Sequence, residues 1–186
     1  MSNPPTVVLI PGSWHQPTYY DPIIKPLQGQ YGLKCVAVSL PSTTGNPVAT
    51  FKDDLDAARE SISRETIQGR NVVVLAHSYG GMVGNSAIKG FAKPRVPSTG
   101  RSTGQPQTLA GHVIGLVLLA SGFTLAGLSF MDPCFGHPPP FWHVNDVSGF
   151  AELVANPREL FYHDVPAEEV EFWVSQLTPQ SLKSLF

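Results

Sequence analysis

Residues 71–81, NVVVLAHSYGG, constrain what this chain can fold into more than any other stretch. Four apolar residues, Val72 to Leu75, run into Ala76-His77-Ser78-Tyr79-Gly80-Gly81, and Met82 to Ile88 reads as the start of a helix. A buried-type strand, a sharp turn carrying a serine and then a helix form the pattern of a nucleophile elbow. In that turn the serine sits in strained φ/ψ and its hydroxyl is lifted above the sheet edge into a cleft. So tight a reversal needs small neighbours. Ala76 and Gly80 stand two positions either side of Ser78, with alanine in place of the first glycine of the strict G-x-S-x-G pattern. Gly81 and Gly84 allow the following helix to pack closely on the strand. A plain strand-to-helix turn capped by serine is the alternative, since serine is a favoured N-cap; it leaves the three glycines unexplained.

The flanking sequence repeats the same alternation. Thr6 to Ile10 reads as a strand ended by Pro11-Gly12, and Ile23, Ile24 and Leu27 mark a short helix ending by Gly29 or Gly32. Leu33 to Leu40 predicts a second strand. Phe51, Leu55, Ala58 and Ile62 recur at helical spacing and predict a helix over Phe51 to Thr66, whose other face carries solvated charges. Gly90 to Gly111 has loop composition, and His112 to Ser121 predicts the fourth strand. The order β-α-β-α-β-α implies an α/β class fold, a parallel sheet covered on both faces. Residues 1–121 then form a three-layer core, and 122–186 a lid or cap segment of the same domain. That segment holds eleven of the chain's eighteen aromatic residues, with helices expected over Ala167 to Leu177 and from Thr178 to Phe186. A lid over an apolar pocket is the expected role.

Composition removes several function classes. A net charge of −2 with 14% charged residues provides no basic stripe for nucleic acid, and no apolar run approaches the ~20 residues of a membrane span. The first residues, MSNPP, carry no secretory signature, so a cytoplasmic location is the expectation. Cys35 and Cys134 do not make a disulfide framework. With no Cys/His cluster at ligand spacing, neither a metal nor another cofactor is expected.

Five stretches carry a resemblance: Val8-Leu-Ile-Pro-Gly-Ser-Trp-His15, Leu40-Pro-Ser42, the elbow around Ser78, Gly115-Leu-Val-Leu-Leu-Ala-Ser121, and Phe161-Tyr-His-Asp164 with the helix after it. Together they resemble the α/β-hydrolase superfamily, and within it the esterase and hydroxynitrile-lyase-like branch, over nearly all 186 positions. The resemblance implies an α/β-hydrolase fold with Ser78 as nucleophile and the backbone N–H groups of Ser13 and Tyr79 as oxyanion hole. Gly12, Trp14, His15 and Phe123 are the candidate substrate-binding residues, and a small apolar substrate is the expected partner. Gly12 stands where lyase members carry threonine, which weakens the lyase reading.

The family's triad acid and histidine lie beyond the lid, on two further strands, and no position here matches either. His77 is expected to support the turn and His15 to act as a structural hydrogen-bonder. His112 falls at the wrong edge of the sheet, and His137, His143 and His163 fall in the lid. Asp132, Asp146 and Asp164 are not spaced as orienting partners. The reading is therefore a serine hydrolase truncated to four strands. The alternatives are an impaired pseudo-hydrolase or binding protein, or a lyase or cyclase using the same pocket. An apolar edge at 112–121 is expected to be covered by a homodimer or another partner.

Overall fold

The computed structural model describes residues 4–93, 111–122 and 125–186. Its centre is β1 (Thr6–Ile10), whose five residues are all buried. β1 runs parallel to β2 (Cys35–Ala37) on one side and to β3 (Val72–His77) on the other, and β3 pairs in parallel with β4 (Val113–Leu119). The sheet order is β2-β1-β3-β4. Between the strands lie α1 (Asp21–Tyr31), α2 (Phe51–Thr66) and α3 (Tyr79–Ala87), the expected alternation.

Two hydrophobic clusters explain why β1 is apolar throughout. Val8 and Ile10 pack with Val72, Val74 and Ala76 against Ala58 and Ile62 of α2 and Val83 of α3. Val7 and Leu9 turn the other way, toward Tyr20, Ile24 and Leu33. A strand covered on both faces by helices has no side on which a polar residue is cheap. Each fully buried Val, Leu or Ile there contributes about 1.5–3 kcal/mol relative to exposure.

Several expected bounds contract. The strand expected over 33–40 is only Cys35–Ala37, because β1, its one partner, ends at Ile10; Val38 N–H still donates to the Leu9 carbonyl at 2.8 Å before the chain turns at Pro41–Thr43. The fourth strand is Val113–Leu119 rather than 112–121. Most of the loop expected over Gly90 to Gly111 lies outside the described residues, as does Phe123.

Beyond residue 125 the chain builds a second, small sheet that the periodicity did not reveal. β5 (Trp142–Asn145) and β6 (Phe150–Leu153) form an antiparallel hairpin, and β7 (Gln180–Ser181) adds to β6. Between β6 and β7 lie α4 (Pro157–Phe161) and α5 (Ala167–Ser175). The helix expected from Thr178 to Phe186 is thus a two-residue strand followed by one 3₁₀ turn, Leu182–Ser184. Tertiary bonds override helix propensity at that point. Thr178 N–H donates to the Trp14 carbonyl at 3.0 Å, the Gln180 side-chain amide donates to Ser42 Oγ at 2.9 Å, and Ser181 Oγ donates to the Ala49 carbonyl at 2.8 Å.

Candidate active site

Ser78 stands between β3 and α3 with φ 49° and ψ −124°, a conformation that L-residues avoid unless the surroundings impose it. Those surroundings come from both neighbouring strands. The register that sets Ile10 beside Ala76 and Leu119 beside His77 brings the ends of β1 and β4 to either side of the turn. Ser78 N–H donates to the Leu119 carbonyl at 3.0 Å, and the Ser78 carbonyl accepts from Ser121 Oγ at 2.7 Å and from Gly81 N–H at 2.9 Å. From the β1 side the contact is backbone on backbone. A Cβ on Gly80 would lie 2.2 Å from the Pro11 carbonyl oxygen, and one on Gly12 would lie 3.0 Å from Ser78 Cβ and 3.1 Å from His77 Nδ1. At Gly80 only glycine admits an approach this close, while at Gly12 a Cβ would be crowded but not excluded.

The turn opens on a cavity of about 300 Å³ lined by Ser78, Met82, Ser121, Gly122, Leu125, Leu128, Ser129, Phe130 and Pro133. Its lining is apolar apart from three serines and contains no titratable side chain. It lies at the carboxyl ends of parallel strands, where open α/β sheets place their ligands. A larger hollow, about 550 Å³, is bounded by Thr50, Asp146, Lys183 and Phe186 among others and contains no residue of the elbow. Size does not make it the site, since the strained serine does not open on it. Of the lining residues, only Ser78 was a candidate from sequence. Ser121 was findable as the residue that follows a strand adjacent to β3; Phe130 had no signal beyond the aromatic richness of its segment.

The Tyr79 ring does not line this cavity. The phenol is fully buried, donates to Asp54 Oδ2 at 2.6 Å and packs edge-on to Phe51 and Phe130. Burial pushes this phenol's pKa far up, so it stays protonated. Burial also pushes the Asp54 carboxyl up, against the pull of donors from Ser42 N–H and the Tyr79 hydroxyl. This anchor fixes the first residue of α3, whose N–H has no acceptor within its own helix. Ser13 is buried in the turn after β1, beside Gly12.

Trp14 does not line the Ser78 cavity. Held at φ 63°, it turns its indole toward Trp142 and Phe161, with the ring N–H donating to the Ala151 carbonyl at 2.9 Å. His15 is committed as well. Its Nδ1 lies 2.7 Å from the Ser13 carbonyl, which can only accept, so Nδ1 carries the proton and Nε2 accepts from the Tyr162 hydroxyl at 3.1 Å. Burial, opposed by the Ser13 carbonyl bond and reinforced by nearby His77, lowers its pKa and keeps the ring neutral. His77 faces the Gly12 loop, its ring 6.3 Å from that of His15, and burial lowers its pKa too. His143 pairs with Glu152 at 3.4 Å, while Asp132 accepts from Ser129 N–H within its own turn. Asp146 and Asp164 line other hollows. Among the described residues, the structure brings no histidine or carboxylate to the wall of the Ser78 cavity. Nor does any group of three or more His, Cys, Asp and Glu there lie close enough to hold a metal, and no helix is long and apolar enough to cross a membrane.

Known proteins resemble this chain in sequence and in fold. The alpha/beta hydrolase nvfD of Aspergillus novofumigatus is 35% identical over 95 residues, 50% of this chain and 37% of that protein, so the match spans little more than a third of the relative's length. Polyneuridine aldehyde esterase superposes with a TM-score of 0.66 at 18% identity, covering 97% of this chain and 70% of that one. Tomato methylketone synthase I, solved with 2-tridecanone, gives 0.62 at 18% identity over 96% and 68%. The four-stranded sheet is thus a truncated form of the fold these full-length neighbours share. The family profile extends from Val7 to Leu185, and on that match, joined to the elbow and the parallel sheet that carries it, the chain belongs to the alpha/beta hydrolase family.

Proposed function

We propose that Ser78 is the nucleophile of a serine hydrolase acting on a carboxylic ester, or a related acyl bond, of a small apolar substrate. One observation carries this reading: a serine forced to positive φ on a strand-to-helix turn, opening on a largely apolar cavity of about 300 Å³. The fold leaves the reaction open, since an esterase and a synthase share it. The elbow and the adjoining amides favour acyl chemistry. Ser78 Oγ attacks the acyl carbon as its proton passes to solvent, the carbonyl π electrons move onto oxygen, and the N–H groups of Ser13 and Tyr79 receive the resulting charge. Such a donor supplies roughly 3–4 kcal/mol. Collapse of the adduct breaks the ester C–O bond, the alcohol leaves with a proton from solvent, and water then hydrolyses the acyl-serine to the acid. Leu125, Leu128, Ser129, Phe130 and Pro133 wall the cavity, which supports reading 122–186 as a cap on the core.

A serine hydroxyl needs a base near neutral pH, and His15 has both ring nitrogens engaged. That observation favours the second reading, an impaired hydrolase or binding protein. Oxyanion stabilisation and binding alone leave about 10³–10⁴-fold acceleration over water, and the triad adds roughly a further 10⁶. On the first reading Ser78→Ala abolishes hydrolysis of an activated aryl ester; on the second the chain hydrolyses it slowly, with little change in Ser78→Ala. Prolonged treatment with a fluorophosphonate, followed by peptide mass mapping, should place a slow label on Ser78. A label on another residue, or one that persists in Ser78→Ala, would refute the assignment; no label at all would leave the binding-protein reading. Ordinary turnover abolished by His15→Ala would identify that histidine as the base.

A further inference from the structure

We propose that a second hollow, about 330 Å³ and walled by Tyr19, Tyr162 and Trp173, binds an organic cation of the quaternary or alkylated ammonium class. The site is separate from the Ser78 cavity and does not rest on the hydrolase reading. Its rings are grouped: Tyr19 and Tyr162 lie within 7° of parallel with centroids 6.4 Å apart, and Trp173 stands 5.3 Å from Tyr19. Both phenolic hydroxyls are already occupied, Tyr162 donating to His15 Nε2 and Tyr19 to the Trp173 carbonyl. Tyr162 is buried, so what these walls have left to offer a ligand is the π surface of the partly exposed Tyr19 and Trp173, whose quadrupole attracts a cation.

Charge makes the choice of ligand specific. Asp164 and Glu169 line the same hollow and are exposed, and no lysine or arginine is among its lining residues. Residues 159–182 contain five carboxylates, Glu159, Asp164, Glu168, Glu169 and Glu171, and no lysine or arginine. An anion would be repelled, and a neutral ring would leave the carboxylates unused. A divalent metal ion needs six or more oxygen ligands for calcium, or near-octahedral ones for magnesium. Two carboxylates beside aromatic carbon do not supply them. A weakly hydrated alkylammonium gains from both the rings and the carboxylates.

The test uses the full chain at constant ionic strength and compares choline with dimethylbutanol, its uncharged isostere in which carbon replaces the ammonium nitrogen. Calorimetry should detect saturable choline binding in the millimolar range, with dimethylbutanol weaker by about tenfold. The double variant Asp164→Asn, Glu169→Gln alters only exposed side chains, so its fold should persist. It should weaken choline several-fold and leave dimethylbutanol unchanged. Trp173→Leu should weaken choline as well, and if that variant fails to fold the carboxylate pair still decides. Equal affinity for the two ligands, choline binding indifferent to the carboxylate changes, or no saturable choline binding at tens of millimolar would each overturn the proposal.

Discussion

Gly80 and Gly12 hold Ser78 in place through contacts a side chain would destroy, yet they differ in what a substitution would strike. At Gly80 a Cβ meets the backbone oxygens of Pro11 and Ile10 at 2.2 and 2.6 Å, neither of which can move without displacing β1. Gly80→Ala is expected to cost about 3 kcal/mol or more, read as a lowered urea midpoint. At Gly12 the nearest atoms lie at 3.0 Å and beyond, so Gly12→Ala should shift stability by only about 1 kcal/mol. Labelling of Ser78 should fall more than stability does, because the loop carrying Ser13 is pushed from the elbow. Glu65 gives a residue-scale pH dependence. Its side chain, 5% exposed, accepts from Arg70 at 2.6 Å, Lys34 at 2.7 Å and Thr6 at 2.8 Å. Arg70 first, then Lys34 and Thr6, outweigh burial and lower its pKa from an ordinary 4.5 to about 2. A depressed folded-state pKa stabilises the fold above the unfolded value and loses that contribution as pH falls. Denaturation midpoints should therefore drop between about pH 4.5 and 2, by up to about 3 kcal/mol in total. Glu65→Gln should be less stable at neutral pH and flatter across that range.

Among the elements, α2 and α3 begin for different reasons. α2 opens on a capping box, with Thr50 N–H donating to Asp53 Oδ2 at 2.8 Å and Asp53 N–H donating back to Thr50 Oγ1 at 3.4 Å. Thr50→Ala should cost about 1 kcal/mol in chemical denaturation, and an unchanged midpoint would show that packing alone sets the helix start. α3 has no side-chain cap, because Ser78 occupies the N-cap position in the elbow's own geometry. It is held by the burial of Tyr79, Met82, Val83 and Ala87. This difference explains what was legible. The 3.6-residue period of Phe51, Leu55, Ala58 and Ile62 marks a helix from about Phe51 to Thr66, and the box that fixes its start is equally local. β7 is Gln180 and Ser181, two polar residues whose burial depends on Ser42, Pro47 and Ala49 more than 130 positions away. Nothing local distinguishes them from the helix start that Thr178-Pro179 suggests.

At the scale of the whole molecule, β4 is a strand with one side left largely unpaired among the described residues. Among the described residues β4 pairs with β3 and, at Val113 alone, with Ala92. Ile114, Val117 and Leu119 are 57%, 42% and 40% exposed along it. A long apolar edge of this kind templates further strand pairing. The protein is expected to self-associate in a concentration-dependent way, and Ile114→Lys with Val117→Lys to reduce that association. A monodisperse monomer by light scattering at high concentration would contradict the expectation.

The sequence by itself determined the strand, turn and helix around Ser78, the α/β alternation and the family, because each rests on local rules. Apolar runs, helical period and the small residues demanded by a tight turn are all read within a dozen positions. Only the tertiary structure decided which residues wall the cavity and what state His15 adopts. Ser121, Phe130 and Pro133 reach Ser78 through strand register and chain reversal, and Tyr162 engages the His15 ring from 147 positions away. That contact commits the nitrogen a general base would need. It arises from where α4 ends against the β1 loop, and no spacing in the chain records such a meeting.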